Sequence, residues 1–164
     1  MIRLDARDLE ILSVLALEGR ITNARLAARV GLSASPCWER VRRLEQAGVI
    51  EGVHARISLR KLGAHVIVFV TVELTDHTAA AFRRFEDAVQ RIPEVTGCWA
   101  LGGGFDYLLQ VVARDIDAYQ HLIDRMLETR IGLAKYFTYV VTKPVKHSPL
   151  PPFAALLGDP GKDM

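Results

Sequence analysis

The chain has 164 residues, half of them hydrophobic and 24% charged, with a formal net charge of +2. That length suits one ordinary domain or two small ones, and the mixture belongs to a folded soluble protein rather than a disordered one. No apolar run reaches the roughly 20 residues of a membrane-spanning helix, the first residues carry no secretory signal, and Cys37 and Cys98 offer no disulfide framework. A cytoplasmic protein with no membrane partner is therefore expected.

Charge is distributed unevenly. Residues 1–60 hold ten arginines and no lysine against seven carboxylates, which alone is a weak nucleic-acid signature. In chain order, Asp5 and Asp8 mark a helix start, with Leu4 and Leu9 at the hydrophobic-staple positions. Leu9, Leu12, Leu15 and Ala16 continue at helical spacing, and Gly19 stops the helix. Thr22 caps a second helix whose apolar face is Leu26, Ala27 and Val30, with Gly31 just past its end. A third helix starts at Ser33 or Ser35, tolerates Pro36 in its first turn, and runs to Gly48 with Cys37, Val41 and Leu44 inward. Two helices joined by about three residues around a glycine form the helix-turn-helix layout.

With that inward stripe, Pro36, Glu39, Arg40 and Arg43 are expected to point away from the core, with Arg42 towards the flank. Guanidinium groups on an exposed helix face fork onto guanine edges or pair with phosphates. Ser33 and Ser35, at the helix start, suit hydrogen bonds to backbone phosphates. The competing reading is a plain solvated face, with Arg43 pairing to Glu39 at i,i+4. After Gly48, residues 49–57 alternate loosely around Gly52 and read as a short β-wing or strand.

Residues 66–74 are β-branched and aromatic, a strand. Residues 78–91 read as a helix with Phe82, Phe85, Val89 and Ile92 inward, broken before Pro93. Strands follow at 95–101 and 107–112, separated by a glycine turn. Asp115 caps a second helix carrying Tyr119, Leu122, Ile123, Met126 and Leu127, and residues 136–142 form a fourth strand. The β-α-β-β-α-β order is ferredoxin-like, an antiparallel sheet with both helices on one face. Phe69, Trp99, Tyr107 and Tyr139 lie along these strands, and an uncovered sheet face predicts a homodimer. Past Ser148 the prolines, among them Pro149 and Pro160, predict an irregular tail, in which 153–157 is either a short docking helix or a loose terminus.

The run Gly31-Leu32-Ser33-Ala34-Ser35-Pro36-Cys37-Trp38-Glu39-Arg40-Val41-Arg42-Arg43-Leu44-Glu45, with the turn Gly48-Val49-Ile50-Glu51-Gly52, resembles the recognition-helix region of the Lrp/AsnC family of feast-or-famine regulators. Gly103-Gly104-Phe105-Asp106-Tyr107-Leu108-Leu109 resembles that family's ligand loop, and Thr138-Tyr139-Val140-Val141 its last strand. The resemblance runs from Leu4 to Lys146. It implies an α+β protein: a winged helix-turn-helix over residues 1–52, a strand or hinge linker at 53–64, a ferredoxin-like βαββαβ (RAM-type) domain at 65–146, and an irregular tail at 147–164. It further implies dimers that assemble into octamers or rings, and an amino-acid effector between subunits. Carried over by position, the effector residues are Gly102, Gly103, Gly104, Phe105, Asp106 and Tyr107, with Thr138 nearby.

A glycine loop exposes backbone amides to a carboxylate, while Asp106 either pairs with an ammonium or satisfies backbone donors in a tight turn. Gly104 stands where many members carry an acidic residue, and Ile131 replaces a proline. The expected function is operator binding modulated by a small metabolite, with double-stranded DNA as partner and no cofactor. The alternative is an amino-acid-binding module without DNA binding. An enzyme is not expected. The five histidines lack metal-ligand spacing, and no nucleophile elbow or phosphate-binding loop appears.

Overall fold

The computed structural model describes residues 2–157. The chain divides into two compact units, one comprising the residues up to Ile57 with the segment from Lys146, the other Ser58–Val145.

In the first unit, α1 (Ala6–Leu17) opens with a reciprocal capping box. The Asp5 carboxylate accepts from the Asp8 amide and the Asp8 carboxylate accepts from the Asp5 amide, satisfying two donors that a helix start otherwise leaves unpaired. Thr22 caps α2 (Asn23–Arg29) through the Arg25 amide. Gly31 then turns the chain at φ +63°, in the left-handed region that favours glycine. Helix α3 (Ala34–Gln46) has Ser33 as its N-cap, which decides between the two serines, and Gly48 ends it at φ +69°. Ile11, Leu26, Ala27, Val30, Cys37 and Leu44 close the core between the three helices. The β-wing expected at 49–57 does not form. Residues 51–58 pair with no strand, and Val53 instead rests on Gly19 in the α1–α2 turn, where a side chain at position 19 would collide with it.

The second unit opens with one helical turn, α4 (Leu59–Leu62), where a linker was expected. There follow β1 (Val66–Leu74), α5 (Ala79–Val89), β2 (Val95–Ala100), β3 (Tyr107–Ala113), α6 (Ile116–Glu128) and β4 (Leu133–Val140). The sheet is antiparallel in the order β2-β3-β1-β4. Alternation fixes its faces: Val68, Val70, Val72 and Leu74 of β1 and Tyr107, Leu109 and Val111 of β3 are buried beneath Phe85 and Val89 of α5 and Leu122, Ile123 and Met126 of α6. Strand β4 occupies 133–140 rather than 136–142. Arg130 (φ +50°) and Gly132 (φ +96°) turn the chain early, so Leu133 pairs with Leu74 beside a register irregularity in β1.

A last helix, α7 (Phe153–Leu157), forms within the tail, and Phe153 packs on the core of the three-helix unit. Pro160, assigned to the irregular tail, lies outside the described residues. No described helix is long and apolar enough to cross a membrane.

Candidate nucleic-acid interface and ligand loop

Asp8 is the only buried charged or polar residue among those described, at 0% exposure. Its two carboxylate oxygens serve three donors. Oδ1 accepts from Arg40 Nη1 at 2.9 Å, and Oδ2 accepts from Arg43 Nη2 at 2.5 Å and from the Asp5 amide at 3.0 Å. Arg40 Nη1 also reaches Asp5 Oδ2 at 2.7 Å. Burial works to raise the Asp5 carboxyl, but the Asp8 amide and the Arg40 guanidinium outweigh it and hold it below the usual carboxylate range. The same bonds, to Asp5 and then Asp8, raise the Arg40 guanidinium. A buried carboxylate needs such partners, because an uncompensated charge away from water is costly.

The expectation that Arg40 and Arg43 stand away from the core is thereby corrected for Arg40, whereas Arg43 stays exposed while also reaching Asp8. Both turn back onto the start of α1, and Arg40 keeps only 29% of its side chain exposed. Helical spacing explains this: Arg40 follows Cys37 by three residues and precedes Leu44 by four, so it borders the inward stripe. The two aspartates were legible as a helix cap, but not as the anchor of α3.

What stands free on α3 is a different face. Ser33, Ser35, Pro36 and Glu39 are exposed, as expected, and Trp38 and Arg42 join them. Trp38 is 51% exposed, and the Arg42 guanidinium lies 5.3 Å from its ring centroid, a cation–π stack that positions both groups. No carboxylate among the described residues lies within ion-pair distance of Arg42. The Ser33 hydroxyl makes no capping hydrogen bond, and Asn23 Nδ2 ties α2 to the first turn of α3 through the Ala34 carbonyl at 2.9 Å.

In the second unit, the glycine loop follows β2. The amides of Gly102, Gly103 and Gly104 donate to no partner among the described residues, and a Cβ added at any of them would meet nothing within 4 Å. None has positive φ. Neither backbone conformation nor crowding within the chain therefore requires glycine here. Asp106 pins the loop: Oδ2 accepts from the Leu74 amide at 2.7 Å, and Oδ1 lies 3.1 Å from His77 Nε2. Of the two readings of Asp106, the geometry favours the one in which it satisfies a backbone donor. Phe105 meets Phe137 edge to face, with centroids 5.5 Å apart.

Tyr107 and Thr138 do not line the loop within one chain. Tyr107 points under α5 and donates to Glu86 Oε1 at 2.8 Å, and burial followed by that carboxylate pushes its phenol well up. It therefore does not belong to the open face of the sheet with Phe69, Trp99 and Tyr139. The Thr138 hydroxyl lies 2.6 Å from the Tyr119 hydroxyl on the helical side. The open face carries Phe69, Trp99, Phe137 and Tyr139, with the last two 48% and 54% exposed. Among the described residues, Thr71 Oγ1 is the one buried side-chain polar atom without a partner, and alternation along β1 places it on this face.

Residues 4–51 match a winged helix-turn-helix DNA-binding family, and residues 67–151 match the Lrp/AsnC ligand binding domain. The transcriptional regulatory protein DoeX of Halomonas elongata is 54% identical over 144 residues, 88% of this chain and 91% of that one. The leucine-responsive regulatory protein of Escherichia coli is 42% identical over 145 residues, 88% of each. Among solved structures, a transcriptional regulator of Neisseria meningitidis in complex with L-Met superposes with a TM-score of 0.88 at 35% identity, covering 94% of this chain and all of that one. The AsnC protein of E. coli gives 0.81 at 27%, over 92% and 100%. Together, fold and matches define a DNA-binding transcriptional regulator with a small-molecule-binding domain, not an enzyme. The chain belongs to the Lrp/AsnC family.

Proposed function

We propose that this regulator reads its operator with the outer face of α3 and that a metabolite held at the glycine loop, an amino acid or a close relative, changes how tightly it does so. The observation that carries the DNA half is the free Arg42 stacked on exposed Trp38, beside Ser35, Pro36 and Glu39. An arginine without a carboxylate partner, presented from a helix that fits the major groove, supplies base or phosphate contacts. Ser33 and the exposed part of Arg43 suit flanking phosphates, while Arg40 holds α3 in place.

The effector half rests on three amides, unpaired among the described residues, in a row of glycines that no described neighbour demands. Such a loop lets a carboxylate, or a neighbouring subunit, approach the backbone closely. The L-Met bound to the Neisseria relative supports an amino-acid-sized ligand. In this reading residues 1–52 bind DNA, 53–64 act as the hinge, and 65–146 bind effector and self-associate. The tail from 147 returns to the DNA-binding part through Phe153. The open sheet face pairs two chains in a homodimer, such dimers assemble into octamers, and the protein works in the cytoplasm. An effector that prefers one arrangement of the paired DNA-binding parts shifts operator affinity by the ratio of its own affinities for the arrangements.

A Gly103→Val variant tests the effector half. A Cβ at this position meets no described atom within 4 Å, so Tm without ligand is expected to stay within about 1 °C while the loop amides are screened. In a thermal-shift screen of the twenty amino acids, at least one is expected to raise the wild-type Tm and alter operator affinity, with both responses lost in the variant. No response from the wild type, or an undiminished one in the variant, contradicts the loop assignment.

A further inference from the structure

On the helical side of the second unit, α5, α6 and the segments that leave them enclose a cleft of about 610 Å³. Its floor is apolar, formed by Ile92, Pro93, Leu122, Met126 and Ile131. A second depression of about 530 Å³ shares Ala88, Arg91, Thr129 and Ile131 with it and continues along α5 past Arg84 and Arg83. The volume lies within the several-hundred Å³ range of small-molecule sites. Small residues leave the space open: Ala80, Arg84, Ala88 and Arg91 follow one another at i,i+4, i,i+4 and i,i+3 along one stripe, and two of the four are alanines.

Charge at the rim sets the ligand class. Arg125 is satisfied by Glu94 at 2.7 Å. Arg83, Arg84 and Arg91 have no carboxylate within 4.0 Å among the described residues, although Asp87 lies along the same depression. Three guanidinium groups without an ion-pair partner against one carboxylate leave the depression beside the apolar floor net positive, and the planar fork of a guanidinium fits a carboxylate. The floor in turn removes a hydrocarbon body from water. This cleft is separate from the glycine loop, whose residues do not line it.

We propose that the α5–α6 cleft is a second small-molecule site that takes an organic monoanion with an apolar body, such as a medium-chain or branched carboxylate. The carboxylate sits between Arg84 and Arg91, and the hydrocarbon lies over Ile92, Met126 and Ile131. Because no group in it depends on the glycine loop, the proposal stands or falls apart from the effector reading above.

Isothermal titration of the full-length protein with octanoate tests it, with 1-octanol as the uncharged control. Saturable binding of one octanoate per chain is expected. Binding should weaken at least tenfold in the Arg84→Ala/Arg91→Ala variant and remain unchanged in Gly103→Val. Octanol should bind at least tenfold more weakly than octanoate. Both arginines are exposed, so the double variant folds, and an unchanged Tm confirms that the comparison is fair. Absence of saturable octanoate binding overturns the proposal. So does octanoate affinity indifferent to the two arginines, octanol binding as tightly as octanoate, or loss of binding in the glycine-loop variant.

Discussion

Replacing Asp8 with Ala is expected to destabilise the three-helix unit by about 3 kcal/mol. The reasoning starts from burial. A fully buried carboxylate that satisfies two guanidinium groups and a backbone amide differs from exposed pairs such as Arg7–Glu10, which typically contribute 0–1 kcal/mol. Removing one partner of a buried pair typically costs 3–5 kcal/mol. The lower end applies because Arg40 and Arg43 remain partly exposed and rehydrate once released. The half of the capping box in which the Asp8 carboxylate accepts from the Asp5 amide is lost with it, while Asp5 still caps the backbone amide at position 8. Asp8→Asn keeps the volume and one acceptor and should lose about half as much. Denaturant unfolding followed by Trp38 fluorescence isolates this unit if Trp99, the other tryptophan, is changed to Phe. A loss below about 0.5 kcal/mol for Asp8→Ala would show the cluster to be no more than a surface network.

The second large effect concerns assembly. Phe137→Asp is expected to convert the dimer proposed above to monomer at micromolar concentration, raising Kd at least about a hundredfold, or roughly 3 kcal/mol. Phe137 lies half-exposed on the open sheet face beside Thr71 and Tyr139, its side chain against Phe105. A pairing of two such faces would place a new carboxylate in an apolar layer, where Lys135, the cation on this face of β4, is already held by Glu73. Because the position is not part of the buried core, the monomer should keep its secondary structure. Sedimentation equilibrium reads the result. An unchanged mass for the variant would place the self-association surface elsewhere.

Much of this architecture was legible from residue spacing. Caps at Asp5, Thr22 and Asp115 announced three helices, and each side chain accepts the expected first-turn amide. The misreadings have local causes. The wing failed because Val53 found packing on Gly19 instead of a ladder partner. Strand β4 was placed late because only tertiary pairing across a register irregularity, not β-propensity, sets where Leu133 begins to pair. Tyr107 was assigned to the wrong face because the irregular run before β3 hides which residue starts the alternation.

The arginines of α3 illustrate the limit more sharply. A helical wheel gives each side chain an azimuth, but Arg40 sits at the border of the apolar stripe, where the neighbouring helix decides its fate. Asp8 comes from 32 residues earlier in the chain, and nothing local to α3 announces it. The glycine loop was found by resemblance, and its unpaired amides became visible only in three dimensions.

Operator titration by fluorescence anisotropy, at several salt concentrations, with Arg42→Ala and Arg40→Ala side by side, most directly tests which face of α3 reads DNA. Arg42→Ala should weaken binding by about 1–3 kcal/mol, or five- to more than a hundredfold, with an unchanged Tm; Arg40→Ala should lower Tm first and bind in proportion to what remains folded. If Arg42→Ala binds like the wild type while folded Arg40→Ala fails to bind, the reading face is the other one and this account of the helix is wrong.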